Sequence, residues 1–121
     1  MTVMPREEYE WTVEDLDRLP DDGLQYELLD GILLVSPAPI LRHQLVSANL
    51  YLLLHHGCPA DLVVLYAPVD WRPDIRTSLQ PDLLVARRSD LEVRNLTRPL
   101  VLAVEILSPS SVRKDAVLKR S

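Results

Sequence analysis

Apolar and polar residues recur along the chain with two different periods. A period near 3.6 residues predicts a helix, and short apolar runs bounded by turn signals predict strands. By these criteria, we predict helices over residues 13–19, 40–56 and from 112 onward, and strands over residues 26–29, 32–35, 62–71, 82–86 and 100–107.

Local signals support several of these boundaries. Thr12 and Asp15 have the spacing of a capping box at the start of the first helix. The Asp-Gly pair at residues 30–31 is typical of a tight hairpin turn, because both central residues of that turn need a positive φ. Pro68 is expected to interrupt the long strand that contains it, and residues 72–80 are predicted to form a polar loop.

The size and composition indicate a single domain over residues 1–121. The only cysteine, Cys58, cannot form an internal disulfide, which favours a reducing compartment. Glutamates at positions 7, 8 and 10 are unlike the start of a signal peptide. The apolar runs are much shorter than the roughly 20 residues that span a bilayer. We therefore expect a cytoplasmic protein that does not associate with membranes.

The charge is distributed unevenly. The net charge is −5, with −8 in residues 1–30 and +3 in the remainder. An acidic protein is a poor general binder of nucleic acid, because neutralisation of phosphate supplies most of the non-specific affinity. The basic remainder still leaves room for a localised contact with nucleic acid.

Two carboxylates stand at apolar strands and suggest a metal site. Glu105 is the only polar residue in residues 100–107, and Asp82 opens the preceding strand. A buried carboxylate costs several kcal/mol unless a partner such as a cation compensates it. If the two strands pair, both carboxylates can reach one divalent ion. The alternatives are a solvent-facing Asp82 and a Glu105 that is paired with an arginine.

The order of several short segments resembles that of a known family. The segments YELLDG, PAPILRH, PDLLV, VEILSPSS and D-x-x-x-K resemble, over residues 12–121, the Uma family of the PD-(D/E)XK restriction-endonuclease-like superfamily. The resemblance implies an α/β (α+β) protein of the restriction-endonuclease-like fold, with a mixed central β-sheet flanked by helices. It also implies that Asp82 and Glu105 bind Mg²⁺ or Mn²⁺, and that the protein is an endonuclease that hydrolyses phosphodiester bonds in DNA.

The same resemblance implies two further site residues. Leu107 occupies the position of a strand-borne catalytic lysine, and Lys119 would take over that role from the following helix. Glu27 would be an additional acidic residue near the metal. Without the resemblance, a surface ion pair between Lys119 and Asp115, four residues apart on a helix, explains Lys119 as well as a catalytic role does. A position on a solvated strand face explains Glu27 about as well as a place near the metal. His43 is best explained as a helix-surface or capping residue, with a phosphate contact as the functional alternative.

Members of this family usually continue with a further strand and helix after the last predicted helix. The domain is therefore expected to be shortened at its C-terminus, and its exposed apolar positions favour a homodimer. The alternative to an endonuclease is a catalytically inactive module of the same fold that binds nucleic acid or a protein partner.

Overall fold

The structure is a computed structural model, and it describes residues 2–4 and 10–107. In chain order, its elements are β1 (Thr2–Met4), α1 (Val13–Asp17), β2 (Gln25–Leu29), β3 (Ile32–Ser36), α2 (Leu41–His56), β4 (Leu62–Tyr66), β5 (Trp71–Asp74), β6 (Thr77–Leu79), β7 (Leu83–Arg87), a 3₁₀ helix (Arg88–Asp90) and β8 (Leu102–Val104). This mixture of helices and strands confirms the predicted α/β class.

The chain forms two compact units. Of the described residues, the first unit contains residues 2–4, 10–38, 74–79 and 107, and the second unit contains residues 39–73 and 80–106. The strands belong to a five-stranded sheet of order β1-β3-β2-β6-β5 and a three-stranded sheet of order β4-β7-β8.

The hairpin of β2 and β3 is the centre of the first unit, as predicted. The two strands pair antiparallel, and the turn residues Asp30 and Gly31 have φ values of 46° and 85°. Strand β1 pairs with β3, and β6 pairs with β2. The leucines at positions 28, 33 and 34 are buried and form the apolar interior of this hairpin.

The predicted capping box at the start of α1 is confirmed. The Thr12 backbone N–H donates to Asp15 Oδ2 at 3.0 Å, and the Asp15 N–H donates to Thr12 Oγ1 at 3.4 Å. The helix ends at Asp17, two residues earlier than predicted. Its first residue also donates its backbone N–H to the Ile75 carbonyl at 2.8 Å, which ties the helix to the strand connection at that position.

The prediction of a polar loop over residues 72–80 is wrong, because this segment contains β5 and β6. Strand β6 forms through partners far away in sequence. Ser78 is the register partner of Leu28, and Thr77 Oγ1 accepts the Asp30 backbone N–H at 3.2 Å. The polar side chains of this segment favour a loop, but the pairing of β6 with β2 makes residues 77–79 a strand.

The two glycines with positive φ allow a matched stability test. Gly31→Ala is expected to destabilise the protein by more than Gly23→Ala, which should cost about 1 kcal/mol from the left-handed backbone alone. A Cβ at Gly31 would meet the Glu10 Cβ at 3.1 Å, whereas a Cβ at Gly23 has no neighbour within 4 Å. Urea unfolding of both variants measures the difference, and equal losses would show that the contact at Gly31 is relieved without cost.

The second unit is organised around β7. This strand lies between β4 and β8, and its residues from Leu83 to Ala86 are all buried. Leu84 and Ala86 pack with Leu96 in an apolar cluster that also includes the half-buried residues Val63, Leu65, Val69, Trp71 and Leu100. The predicted interruption at Pro68 is confirmed, since β4 ends at Tyr66, a cis Ala67–Pro68 bond follows, and β5 begins at Trp71.

Helix α2 matches its predicted bounds to within one residue. An amphipathic helix would be expected to bury its apolar side chains, but this helix does not bury most of them. Many of its apolar side chains are exposed, including those of Leu41, Leu45 and Leu52. Its less exposed positions are residues 43, 47, 50, 51 and 54, which recur at helical spacing and define a single face. Among the described residues, no helix combines the length and apolar character needed to cross a membrane.

Candidate active site

Asp82 lies immediately before β7 and is buried in the second unit. The residue is 9% exposed, so the alternative of a solvent-facing strand opener is wrong. Its carbonyl accepts the Ala67 backbone N–H at 3.1 Å, which fixes the main chain at the start of the strand. A carboxylate in such a place requires polar partners, because removal from water is costly.

Both oxygens of the Asp82 carboxylate have partners from the protein. Oδ2 accepts the backbone N–H of Ile106 at 2.6 Å. Oδ1 lies 2.9 Å from Nε2 of His43, and both side chains are largely shielded from solvent. Contacts on both oxygens restrict rotation of the carboxylate, so its orientation is determined by groups on α2 and on the chain after β8.

Glu105 lies next to Asp82 in the strand register. The antiparallel pairing of β7 with β8 ends at Leu83 and Val104, so Asp82 and Glu105 are the next residues along the two strands. The hydrogen bond from the Ile106 amide to Asp82 brings the residue after Glu105 to the Asp82 side chain. The two acidic residues predicted from sequence are therefore adjacent in the register at one end of this ladder.

The surroundings of Glu105 differ from those predicted. Strand β8 covers Leu102–Val104 alone, and Glu105 is half-buried after its end. Val101 and Leu102 are exposed, because β8 is the edge strand of the three-stranded sheet. The prediction of a strand over residues 100–107 with a fully buried glutamate is therefore wrong in its extent and in its burial.

Glu27 belongs to β2 of the first unit, where Leu34 is its partner across the hairpin. It is 1% exposed, so a solvated strand face does not explain it. Burial of a glutamate in the middle of a hairpin is unusual for a residue without a function or a polar partner. Its predicted role as an additional acidic residue of the site stays a prediction.

The predicted catalytic Lys119 and its helical neighbour Asp115 lie outside the described residues. Leu107, at the position of a strand-borne lysine, is exposed. Within residues 2–4 and 10–107, no cluster of three or more His, Cys, Asp or Glu side chains is arranged to hold a metal ion. The described part of the site is therefore the contact between Asp82 and His43, with Glu105 next to Asp82 in the strand register.

Sequence reasoning missed the position of His43. The residue was expected on the helix surface, yet it begins the inward face formed by residues 43, 47, 50, 51 and 54. A histidine at the first position of that face was the available signal. It could have been recognised only by choosing this face over the one that carries Leu41, Leu45 and Leu52, and the apolar pattern does not distinguish the two faces.

The comparison with protein families identifies the chain. The model of the family Uma2, described as "Putative restriction endonuclease", matches residues 13–121. The chain belongs to the Uma2 family. Membership confirms the resemblance seen in the sequence motifs and the restriction-endonuclease-like fold class. No curated protein matches the sequence.

Uma2 membership also agrees with the distribution of the motifs in this chain. The matched residues include Glu27, Asp82 and Glu105, together with the segment that carries Lys119. The family description places the chain in a nuclease family.

Proposed function

We propose that this Uma2 protein is a metal-dependent endonuclease that hydrolyses phosphodiester bonds in DNA. The observation that carries the proposal is the pair formed by Asp82 and Glu105 at the end of the β7–β8 ladder. Asp82 is buried and oriented by the Ile106 amide at 2.6 Å, and it lies next to Glu105 in the strand register. An oriented carboxylate next to a second one is the minimum protein contribution to a Mg²⁺ site.

The donor chemistry of these residues fits a hard divalent cation. Mg²⁺ prefers oxygen ligands and usually takes one or two carboxylates, with waters and substrate phosphate oxygens completing its shell. Each oxygen of an ionised carboxylate has two lone pairs. Asp82 therefore keeps acceptor capacity after its contacts with Ile106 and His43. Asp82 and Glu105 would hold Mg²⁺ or Mn²⁺.

A divalent cation bound there would supply an activated water and would stabilise the negative charge that develops on the phosphate. The chain itself would orient its carboxylates and position the phosphodiester. Lys119 would stabilise charge at the scissile phosphate, and Glu27 would be a further acidic residue of the site. Both assignments rest on the family motifs in the sequence.

The exposed arginines of the second unit support DNA as the substrate. Residues 39–73 and 80–106 contain six acidic residues and six arginines, whereas residues 1–30 have a net charge of −8. The arginines at positions 87, 88, 94 and 98 are exposed, the first at the end of β7 and the others in the segment that follows it. Arginine binds phosphate through a planar set of donors, so this segment is a suitable place for backbone contacts.

The proposal is tested by incubating supercoiled plasmid with the purified protein in Mg²⁺, Mn²⁺ or EDTA. Cleavage is expected with either metal and not with EDTA. Glu105→Gln should abolish cleavage and should remove the rise in melting temperature that millimolar metal produces in the unmodified protein. Glu92→Gln is the matched control, because Glu92 is exposed in the same unit and its carboxylate accepts the Thr97 hydroxyl at 2.6 Å, a role that Gln can keep.

The second candidate function is a non-catalytic binding module. The observation in its favour is Leu107, which replaces the strand-borne lysine and is exposed. Such a module should bind DNA or a protein partner with equal affinity in Mg²⁺ and in EDTA, and should leave plasmid intact. Glu105→Gln distinguishes cleavage by this protein from cleavage by a contaminating nuclease. Plasmid cleavage that this substitution abolishes would exclude the non-catalytic module.

A further inference from the structure

His43 is the polar residue of α2 that reaches the Asp82 carboxylate. Its Nε2 lies 2.9 Å from Asp82 Oδ1, within hydrogen-bonding distance. The His43 side chain is 15% exposed, although its neighbours Arg42 and Gln44 are exposed to solvent. The helix therefore turns this one side chain of its first turn inward, at a position that an apolar residue would normally occupy.

The contact complements the one made by the Ile106 amide. Ile106 N–H donates to Oδ2 and His43 approaches Oδ1, so the carboxylate is held from both sides. A single hydrogen bond leaves a carboxylate free to rotate about its terminal bond, whereas two partners on different oxygens fix its plane. The two partners come from distant parts of the sequence, which makes the orientation depend on the fold of this unit.

We propose that His43 is a positioning residue that holds the Asp82 carboxylate in the orientation required to bind a divalent cation. The inference rests on the proposed function, since it assigns Asp82 as a ligand. Groups that hydrogen-bond to metal-ligating side chains orient those ligands, and their loss typically weakens metal binding by about 10–100-fold. The remaining lone pairs on both Asp82 oxygens would be available to the cation.

Competing explanations of the contact predict different behaviour. A merely structural His43 would contribute to the stability of α2 against the sheet without changing the affinity for metal. A positioning His43 must influence the carboxylate in both the metal-free and the metal-bound protein. The Ile106 amide is a reporter of the metal-free state, because it donates to the other oxygen of the same carboxylate.

The test compares substitutions that keep or remove the donor. His43→Gln places an amide nitrogen near the position of Nε2, whereas His43→Leu keeps a similar volume without a donor. His56→Ala is the control, since His56 is exposed at the other end of the same helix. Mn²⁺ affinity is measured by electron paramagnetic resonance at one fixed pH, and hydrogen exchange of the Ile106 amide is measured by NMR without metal.

We expect His43→Leu to weaken Mn²⁺ binding by about 10–100-fold and to accelerate exchange of the Ile106 amide. His43→Gln and His56→Ala should remain close to the unmodified protein in both measurements. If His43→Leu does not fold, His43→Asn replaces it, because its shorter amide cannot reach Asp82. A weaker Mn²⁺ affinity of the His43→Asn variant than of the His43→Gln variant then supports the inference.

Two results would overturn the inference, and they are distinguishable. If donor-free variants bind Mn²⁺ as tightly as the unmodified protein while Asp82→Asn does not bind it, His43 has no positioning role and the proposed metal site stands. If the unmodified protein binds no Mn²⁺, the proposed metal-dependent function fails, and the role of His43 fails with it.

Discussion

Asp82→Asn is expected to reduce metal-dependent DNA cleavage by about a thousandfold, because a bound cation contributes several kcal/mol to the transition state and each 1.36 kcal/mol is tenfold in rate. The substitution preserves the shape of the side chain and removes its negative charge. It also replaces one acceptor by an NH₂ group, which cannot accept the Ile106 N–H or face a donor on His43 without conflict. Plasmid cleavage and Mn²⁺ titration measure the two consequences.

Asp61→Asn is the matched control for this substitution. It makes the same chemical change in the same unit, but Asp61 is exposed. Its backbone carbonyl, which the substitution keeps, accepts the Arg88 N–H at 3.0 Å. Cleavage by Asp82→Asn at the rate of Asp61→Asn would show that Asp82 is not a ligand, and would remove the main support for a metal-dependent enzyme.

Leu84→Ala is expected to lower the free energy of unfolding by about 2–5 kcal/mol. Leu84 is 1% exposed in the central strand β7, with Leu65 on β4 and Ala103 on β8 as register partners. Truncation removes apolar contacts with the cluster that includes Leu96, and it leaves a cavity that flanking strands cannot fill without breaking their pairing. Equilibrium unfolding in urea measures the loss.

Val93→Ala provides the comparison for the core substitution. Val93 lies in the connection between β7 and β8 and is fully exposed, so its truncation should change stability by no more than about 0.5 kcal/mol. A loss below 1 kcal/mol for Leu84→Ala would indicate that the strands of this unit relax around the cavity. A loss in the expected range would confirm that β7 organises the unit that carries Asp82.

The features that the sequence predicted correctly are those that depend on residues close together in the chain. The capping box of Thr12 and Asp15 forms as expected, because both hydrogen bonds lie within one turn. The turn at residues 30–31 follows from the tolerance of Asp and Gly for positive φ. The family motifs also lie within short segments, so the Uma2 assignment was visible before the fold.

Other features depended on partners that local patterns do not identify. Strand β6 exists because Ser78 meets Leu28, and this pairing overrode the polar character of its segment. Glu105 is less buried than its apolar neighbours suggested, because β8 is an edge strand. Edge or central position is a property of the sheet and cannot be derived from the composition of one strand.

The sequence by itself determined the family and its α/β class, and it predicted Asp82 and Glu105 as the carboxylates of the site, since each is carried by local residue patterns. Only the tertiary structure decided which face of α2 turns inward, and with it the contact between His43 and Asp82. The apolar residues of α2 occur around much of its circumference, so periodicity did not select a face. The inward face was selected by packing against the sheet, which depends on long-range contacts.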